Sequence, residues 1–289
     1  MIVNVLLPLI LAFIMFSLGL GLKKADFTRV VQFPTAFGVG LCNQLFLLPV
    51  IAFALVKAFN LSGELAVGMM ILSFCPGGVT TNVLARLSKG NVPLSISMTA
   101  FTSLASILTV PFLVALSVRH FLGAEALAVN VGKLGITMFL ITAVPVLLGM
   151  LVTKMAPGFT KTASKPISLI AIGLFCLMIV AALAKNWDVV AKHFPTLGPA
   201  LITLNITLLA VGFLSSRLAK LDTKDASTIS IESGIQNGTL GIAVGTLIAA
   251  GTAETLPPTT VPSAVYGVSM YLVSIPFVIW RAKKNRSID

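Results

Sequence analysis

Long apolar runs alternate with short polar links along the whole chain. Nine of these runs are long enough for an α-helix to cross a hydrocarbon layer of about 30 Å, which takes roughly 20 residues. The links, such as Leu221–Asp225, are too short to form a soluble domain of their own. The pattern therefore predicts an all-α, polytopic membrane protein with a single membrane domain over residues 1–289. The approximate spans are 2–22, 33–58, 64–86, 91–118, 130–153, 165–185, 197–219, 226–251 and 262–281.

Two of these runs are interrupted by glycine and polar residues. In the third run Pro76 lacks an amide hydrogen and Gly77 and Gly78 do not favour helix, so the helix is expected to end there and restart near Thr80. In the eighth run the stretch Glu232–Gly238 has the same effect. Backbone groups freed at membrane depth must be satisfied by protein, water or a ligand. One interruption in each half of the chain is typical of ion-coupled transporters.

Composition and charge agree with the membrane class. With 57% hydrophobic and 10% charged residues, the chain carries more apolar surface than one soluble core buries. The net charge of +11 would suggest a nucleic-acid partner in a soluble chain, but in a membrane protein the positions of the basic residues matter more. Most of them, including Arg29 and Arg286, fall on one side if the N-terminus is outside. We therefore expect a lipid bilayer and no nucleic acid as partner, and a cytoplasmic C-terminus.

Glu232 is the only acidic residue placed in the interior of a predicted span, since Glu64 stands at the first position of the third span. Burying a carboxylate at that depth costs several kcal/mol unless a cation or another partner offsets it. Ser233, Gln236 and Asn237 add neutral oxygens beside it. Hard oxygen ligands suit an alkali or alkaline-earth cation, and the scarcity of carboxylates favours a monovalent one. A protonated, purely structural glutamate is the alternative.

The first interruption offers a second group of oxygens. Thr80, Thr81 and Asn82 follow the glycines directly, and Ser95 and Thr99 share one face of the next predicted helix. Hydroxyl groups in membrane helices commonly bond to carbonyls of their own helix, but this does not account for an asparagine beside two glycines. The restarting helix also presents a positive end.

The residues around the two interruptions resemble the bile acid:sodium symporter family, including its bacterial members. The resemblance covers nearly the whole chain and is carried by Cys75-Pro-Gly-Gly-Val-Thr-Thr-Asn82, Lys89-Gly-Asn-Val-Pro-Leu-Ser95 with Met98-Thr99, and Glu232-Ser-Gly-Ile-Gln-Asn237. It implies inverted repeats, about 1–120 and 128–284, with a panel domain and a core domain in which two broken helices cross. The first family helix is expected to be missing, which leaves nine spans. A bacterial inner membrane is the expected location.

The resemblance also implies two sodium sites. The first would use Thr81, Asn82, Ser95, Thr99 and Glu232. The second would use the side chains of Gln44, Glu232 and Gln236 with the backbone carbonyls of Ser233 and Ile235. Gln44 enters only through the resemblance, because hydropathy alone indicates a helix-packing amide.

The implied function is sodium-coupled uptake of an organic anion by alternating access. The substrate would be a bile acid, a steroid conjugate or a small carboxylate, and it would bind at the positive helix ends near Thr80, Asn237 and Gly238. No enzymatic activity is expected, because His120 and His193 are predicted in external loops away from any nucleophile.

Other readings stay open at the sequence level. A proton-coupled or arsenite-type exporter of related architecture would use Glu232 as a proton carrier or Cys75 as a metalloid ligand. A channel would need a continuous polar stripe, which the sequence does not contain outside the two interruptions. The sequence fixes neither the substrate nor the oligomeric state.

Overall fold

The computed structural model describes residues 2–28, 31–123, 129–248 and 256–286, and these ranges contain helices and no strands. Arg29 and the end of the eighth predicted span, 249–251, lie outside the described residues. The helices are α1 (Ile2–Gly21), α2 (Lys24–Thr28), α3 (Pro34–Cys42), α4 (Leu48–Ala58), α5 (Gly63–Phe74), α6 (Val79–Leu87), α7 (Val92–Leu122), α8 (Val131–Met138), α9 (Val144–Met155), α10 (Pro157–Lys185), α11 (Trp187–Leu218), α12 (Thr223–Gly234), α13 (Gly238–Ile248) and α14 (Val261–Arg286).

The predicted class, an all-α polytopic membrane protein, is confirmed. Within the described ranges six helical segments are long and apolar enough to cross a membrane, and three shorter apolar helices accompany them. The six are Pro34–Ala58, Val92–Leu122, Val131–Met155, Pro157–Lys185, Trp187–Leu218 and Pro258–Asn285, and the three are Pro8–Gly21, Gly63–Phe74 and Gly238–Ile248. Each of the nine predicted spans corresponds to one of these segments.

Two predicted loops are helical in the structure. His120 lies in the last turn of α7, and His193 lies in α11, which begins at Trp187 and not near residue 197. The loop prediction for both histidines is therefore wrong. Hydropathy detects the part of a helix that matches the hydrocarbon layer, whereas α11 has 32 residues, about 48 Å at 1.5 Å per residue, and continues beyond it.

Two short π-helical segments precede prolines. Asn43–Leu47 joins α3 to α4 and Phe139–Ala143 joins α8 to α9. Pro49 and Pro145 come two residues after these segments. A proline cannot donate to the carbonyl four residues before it, and the ladder shifts locally to bonds spanning five residues. The first of these wider turns contains Gln44, which is buried.

The two interruptions lie side by side. After α5 the chain is extended at Cys75 (φ −70°, ψ 145°), and after α12 it is extended at Ile235 (φ −109°, ψ 117°). Gly77 and Gln236 form an isolated antiparallel bridge, and the Asn237 amide donates to the Pro76 carbonyl at 2.8 Å. Each break therefore satisfies backbone groups of the other, as apolar surroundings require.

Two sets of helices are named here by their contacts. α1 packs on α9 and α10, and we call these three the panel helices. α5 packs on α7, and α11 packs on α12 and α14; we call these five helices, together with α6 and α13, the core helices. The two sets also touch, chiefly where α10 packs on α14. α1 and α9 approach closely at small residues, as is usual between membrane helices. A Cβ atom added to Gly149 of α9 would lie 2.8 Å from the carbonyl carbon of Gly19, closer than packing allows.

The close crossing of α1 and α9 should be sensitive to one methyl group. We expect Gly149→Ala to lower the temperature of thermal unfolding, at a cost of about 1–3 kcal/mol, because backbone must move to make room. Gly173→Ala in α10 is the matched control, since a Cβ atom there meets nothing within 4 Å. Thermal unfolding of both purified variants measures the difference, and equal stability of the two would contradict the packing described here.

Candidate functional site

Glu232 lies in the last turn of α12 and is 2% exposed. Its carboxylate accepts a hydrogen bond from the Ser95 hydroxyl, and the Thr99 hydroxyl lies 3.1 and 2.9 Å from its two oxygens. Both hydroxyls project from α7, on the shared face that their spacing predicts. In the described part of the chain Glu232 forms no ion pair with lysine or arginine, so hydroxyl groups alone meet the carboxylate.

The oxygens near Glu232 outnumber the protons that could bridge them. The Ser95 hydroxyl has one proton, yet it lies within reach of both Glu232 and Asn82 Oδ1, the latter at 2.8 Å. The Thr81 hydroxyl donates at 2.7 Å to a carbonyl three residues before it and lies 3.1 Å from the Thr99 hydroxyl. The Thr99 proton can then serve either Thr81 or the carboxylate. With Glu232 ionised, the set has unused lone pairs facing one another, which is the arrangement a small cation stabilises.

The first break makes room for the carboxylate. A Cβ atom on Gly77 would lie 2.7 Å from Glu232 Oε2, so the carboxylate could keep its place only beside a residue without a Cβ atom. A Cβ atom on Gly78 would meet its nearest neighbour, Thr80 Oγ1, at 3.6 Å, an ordinary contact. The two adjacent glycines therefore have different roles, and only the first shapes the wall of the carboxylate site.

A second polar group lies beside the first. The Gln44 amide nitrogen donates to the Cys75 carbonyl at 2.8 Å and to Gln236 Oε1 at 2.7 Å. The Gln236 amide nitrogen donates in turn to the Ser233 carbonyl at 2.8 Å. The structure thus brings together Gln44, Ser233 and Gln236, but with amide N–H groups directed at carbonyls. Ile235, whose amide donates to the Ile231 carbonyl at 3.0 Å, closes α12 next to them.

A cavity of about 190 Å³ adjoins the crossing of the two breaks. Its walls come from α1, α10 and α14 and from both interruptions, so it lies between panel and core helices. The lining is largely apolar and includes no charged side chain. The residues are Ile14, Met15, Ser17, Gly78, Thr80, Val83, Ser168, Ala171, Ile172, Phe175, Gln236, Asn237, Gly238, Thr239, Met270 and Tyr271.

Polar groups are concentrated at the end of the cavity nearest the breaks. The Tyr271 hydroxyl donates to Thr80 Oγ1 at 3.0 Å. Asn237 Oδ1 accepts from the Thr239 hydroxyl at 2.6 Å and from the Leu240 amide at 3.0 Å, and it thereby caps α13. Because the oxygen is used for the cap, the Asn237 amide N–H groups are available to a ligand in the cavity. α6 begins without a side-chain cap, and its Thr81 amide donates to the Gly78 carbonyl at 3.0 Å, so the Thr80 amide is the one left at the cavity end of the helix.

The residues predicted as sites thus fall into three neighbouring places. Thr81, Asn82, Ser95, Thr99 and Glu232 form the first polar group, Gln44, Ser233 and Gln236 the second, and Thr80, Asn237 and Gly238 line the cavity. Sequence reasoning missed Tyr271, Ser17 and Ser168, which also line it. Isolated hydroxyl groups in apolar runs gave no signal that separated these three from ordinary packing residues.

The geometry does not favour Cys75 as a metalloid ligand. Cys75 is fully buried, its thiol donates to the Ile71 carbonyl at 3.2 Å, and it is absent from the residues lining the cavity. Within the described ranges no three His, Cys, Asp or Glu residues cluster as metal ligands. The candidate cation site therefore rests on one carboxylate with neutral oxygens.

A family model and several known proteins match this chain. A family model described as "Sodium Bile acid symporter family" matches residues 8–193, more than half of the 289 residues. The chain is 32% identical over 272 residues to the rice protein (Oryza sativa subsp. japonica) named "Probable sodium/metabolite cotransporter BASS2, chloroplastic", and the match covers 94% of this chain. It is 29% identical over 262 residues to the Bacillus subtilis (strain 168) protein named "Uncharacterized sodium-dependent transporter YocS", and the match covers 91% of this chain.

The matches differ in how much of each relative they cover. The chain spans 62% of the length of the rice protein and 78% of the Bacillus protein. A match to the human "Ileal sodium/bile acid cotransporter" is 27% identical over 245 residues and covers 82% of this chain and 67% of that protein. The family model ends before the second interruption, whereas the matches to the rice and Bacillus relatives extend over more than nine tenths of the chain. The chain belongs to the sodium bile acid symporter family.

Proposed function

We propose that this protein is a sodium-coupled symporter that takes up a small organic anion by alternating access. The observation that carries the proposal is the excess of oxygen lone pairs over protons around the buried Glu232 carboxylate. A cation at this position supplies the missing positive charge. The names of the relatives, all of which refer to sodium, support sodium as that cation.

The two polar groups correspond to two proposed sodium sites. The first requires no rearrangement, because five oxygen-bearing side chains already converge there: Thr81, Asn82, Ser95, Thr99 and Glu232. The second requires the amides of Gln44 and Gln236 to rotate so that oxygens replace N–H groups facing the ion. The Ser233 carbonyl is then released from its hydrogen bond with Gln236. The carbonyls of Ser233 and Ile235 and the Glu232 carboxylate complete the proposed ligands.

The volume of the cavity favours a small substrate. Its volume of about 190 Å³ is below the 300–1,000 Å³ typical of sites for drug-sized ligands, which favours a small carboxylate over a steroid. The carboxylate group would meet the Asn237 amide, Thr80 and the amide end of the helix beginning at Gly238, where helix dipoles are positive. The apolar part of the substrate would lie against Phe175 and Met270.

The position of the cavity between panel and core helices supports transport by alternating access. Movement of one group against the other would open the cavity first to one side of the membrane and then to the other. The inverted repeats, the external N-terminus and the cytoplasmic C-terminus expected from the sequence belong to this proposal, with a bacterial inner membrane as the location. The sodium gradient then drives uptake.

Removing either of two proposed sodium ligands should stop transport but leave membrane insertion intact. We expect Glu232→Ala and Gln236→Ala each to abolish sodium-dependent uptake of the substrate while the protein still inserts, because each removes a ligand that no neighbouring group replaces. Glu64→Gln is the matched control, since this carboxylate is exposed in the first turn of α5, at the opposite end of that helix from the first break. Uptake into proteoliposomes with an imposed sodium gradient measures the effect, with organic anions screened beforehand by thermal shift.

The same assay tests the proton-coupled alternative. With sodium replaced by potassium and a pH gradient imposed, the wild-type protein should show no accumulation. Accumulation under those conditions, or normal sodium-dependent uptake by either ligand variant, would overturn the proposal.

The two glycines of the first break give a second test. We expect Gly77→Ala to weaken sodium binding at least tenfold, because its Cβ atom displaces Glu232 Oε2, whereas Gly78→Ala should bind sodium nearly as the wild type does. Stabilisation of the purified protein against heat, titrated with sodium at constant ionic strength, measures both constants. Identical sodium affinity in the two variants would show that the carboxylate is not where the ion binds.

A further inference from the structure

Asn205 and Tyr266 are fully buried polar residues that the proposed function has not used. Asn205 lies in α11 and Tyr266 in α14, and each is 0% exposed. Neither lines the cavity, and neither belongs to the groups around Glu232 and Gln44. A buried amide and a buried phenol are costly unless fully hydrogen-bonded, so their partners indicate what they do.

Both residues donate to the same backbone oxygen. The Asn205 amide nitrogen donates to the Gly234 carbonyl at 2.5 Å, and the Tyr266 hydroxyl donates to it at 2.8 Å. The Asn205 nitrogen also donates to the Tyr266 oxygen at 2.9 Å, and Asn205 Oδ1 accepts from Ser274 at 3.3 Å. Gly234 is the last residue of α12, where carbonyls lose their helical partners. The pair therefore holds the carbonyl at which the helix opens.

The Gly234 carbonyl lies between two proposed sodium ligands along the chain. The carbonyls on either side of it, those of Ser233 and Ile235, are the proposed ligands of the second sodium. A carbonyl held toward α11 and α14 restricts the orientations open to the peptide groups next to it, since each is joined to it through one residue with only two soft dihedral angles. Gly234 itself is confined, because a Cβ atom there would lie 2.7 Å from Leu209 Cδ2.

The first break contains the same device. There the Gln44 amide nitrogen donates to the Cys75 carbonyl, at the end of α5, from the helical segment before the broken helix. Asn205 occupies the corresponding place in the second half, in the helix before α12, and donates to the carbonyl that ends it. In both halves a side-chain amide thus holds a carbonyl at the break, that of the first extended residue, Cys75, in the first half and that of the last helical residue, Gly234, in the second.

We infer that Asn205 and Tyr266 are positioning residues for the second sodium site, acting through the Gly234 carbonyl. The inference rests on the proposed function. They would not touch the ion, and they would set the direction of the Ser233 and Ile235 carbonyls before the ion arrives. Preorganised carbonyls bind a cation more tightly because no reorientation has to accompany binding.

The test is a single hydroxyl deletion. Tyr266→Phe keeps the ring and its packing but removes one of two donors to Gly234, and we expect the half-saturating sodium concentration to rise about fivefold, which corresponds to roughly 1 kcal/mol. Asn205→Leu should act in the same direction. Sodium-dependent thermal stabilisation, titrated without substrate, measures the constant, and the maximal uptake rate at saturating sodium should change little.

Two matched variants on α14 separate positioning from general stability. Ser269→Ala removes a hydroxyl that has no partner among the described residues and should leave the sodium titration unchanged. Tyr271→Phe removes the other tyrosine hydroxyl of α14, which contacts Thr80, and it should raise the half-saturating substrate concentration without affecting sodium binding.

The outcomes distinguish the inference from the proposed function. A wild-type protein that sodium does not stabilise would overturn both. A wild type that responds to sodium, with a Tyr266→Phe variant whose sodium titration is unchanged, would overturn the inference alone. A variant that unfolds at a lower temperature by the same amount with and without sodium would likewise reduce the pair to a structural role and contradict it.

Discussion

The structure depends on how two open stretches of backbone are satisfied deep inside an apolar protein. Each break in a membrane helix leaves amide and carbonyl groups that water does not reach, at a cost of several kcal/mol per unpaired group. Here the breaks pair with each other, through the Asn237 amide on the Pro76 carbonyl and the bridge between Gly77 and Gln236. Each break therefore takes part of its backbone hydrogen bonding from the other, and the two halves of the chain are joined at the crossing.

This mutual pairing also explains why the Glu232 carboxylate, the oxygens around it and the cavity are neighbours. The Glu232 carboxylate occupies the space that a side chain at Gly77 would take. Gly78 and Gln236, in the same short stretches, line the cavity. A change in the direction of these peptide groups therefore acts on the oxygens around Glu232 and on the cavity wall at once. Under the proposed function, ion binding and substrate binding would be linked through a few shared residues without a long path between distant sites.

Sequence reasoning identified the features with a strong physical signal. A lone acid in an apolar run and glycines beside an asparagine are costly in a membrane, so Glu232 and Asn82 stood out. Gln44 came only from family resemblance, and Asn205 and Tyr266 were missed, because an amide or phenol in a helix looks the same whether it packs or holds a carbonyl. Their partners are set by helix crossings between residues 29 to 32 positions apart, which hydropathy does not encode. The parts of helices that extend beyond the hydrocarbon layer, as at His193, were missed because hydropathy detects only the apolar residues that match that layer.

The uncharged lining of the cavity bears on how tightly transport would be coupled. An anion entering an apolar cavity without lysine or arginine meets only helix ends and neutral donors, which repay little of its desolvation. A cation at about 6 Å adds an attraction of roughly 3 kcal/mol at an effective dielectric constant of about 20. That is about a hundredfold in affinity. Under the proposed function, the lack of a fixed positive charge would therefore serve coupling, because the anion would bind well only when sodium is already present, and a permanent lysine in the same place would let it bind without the ion.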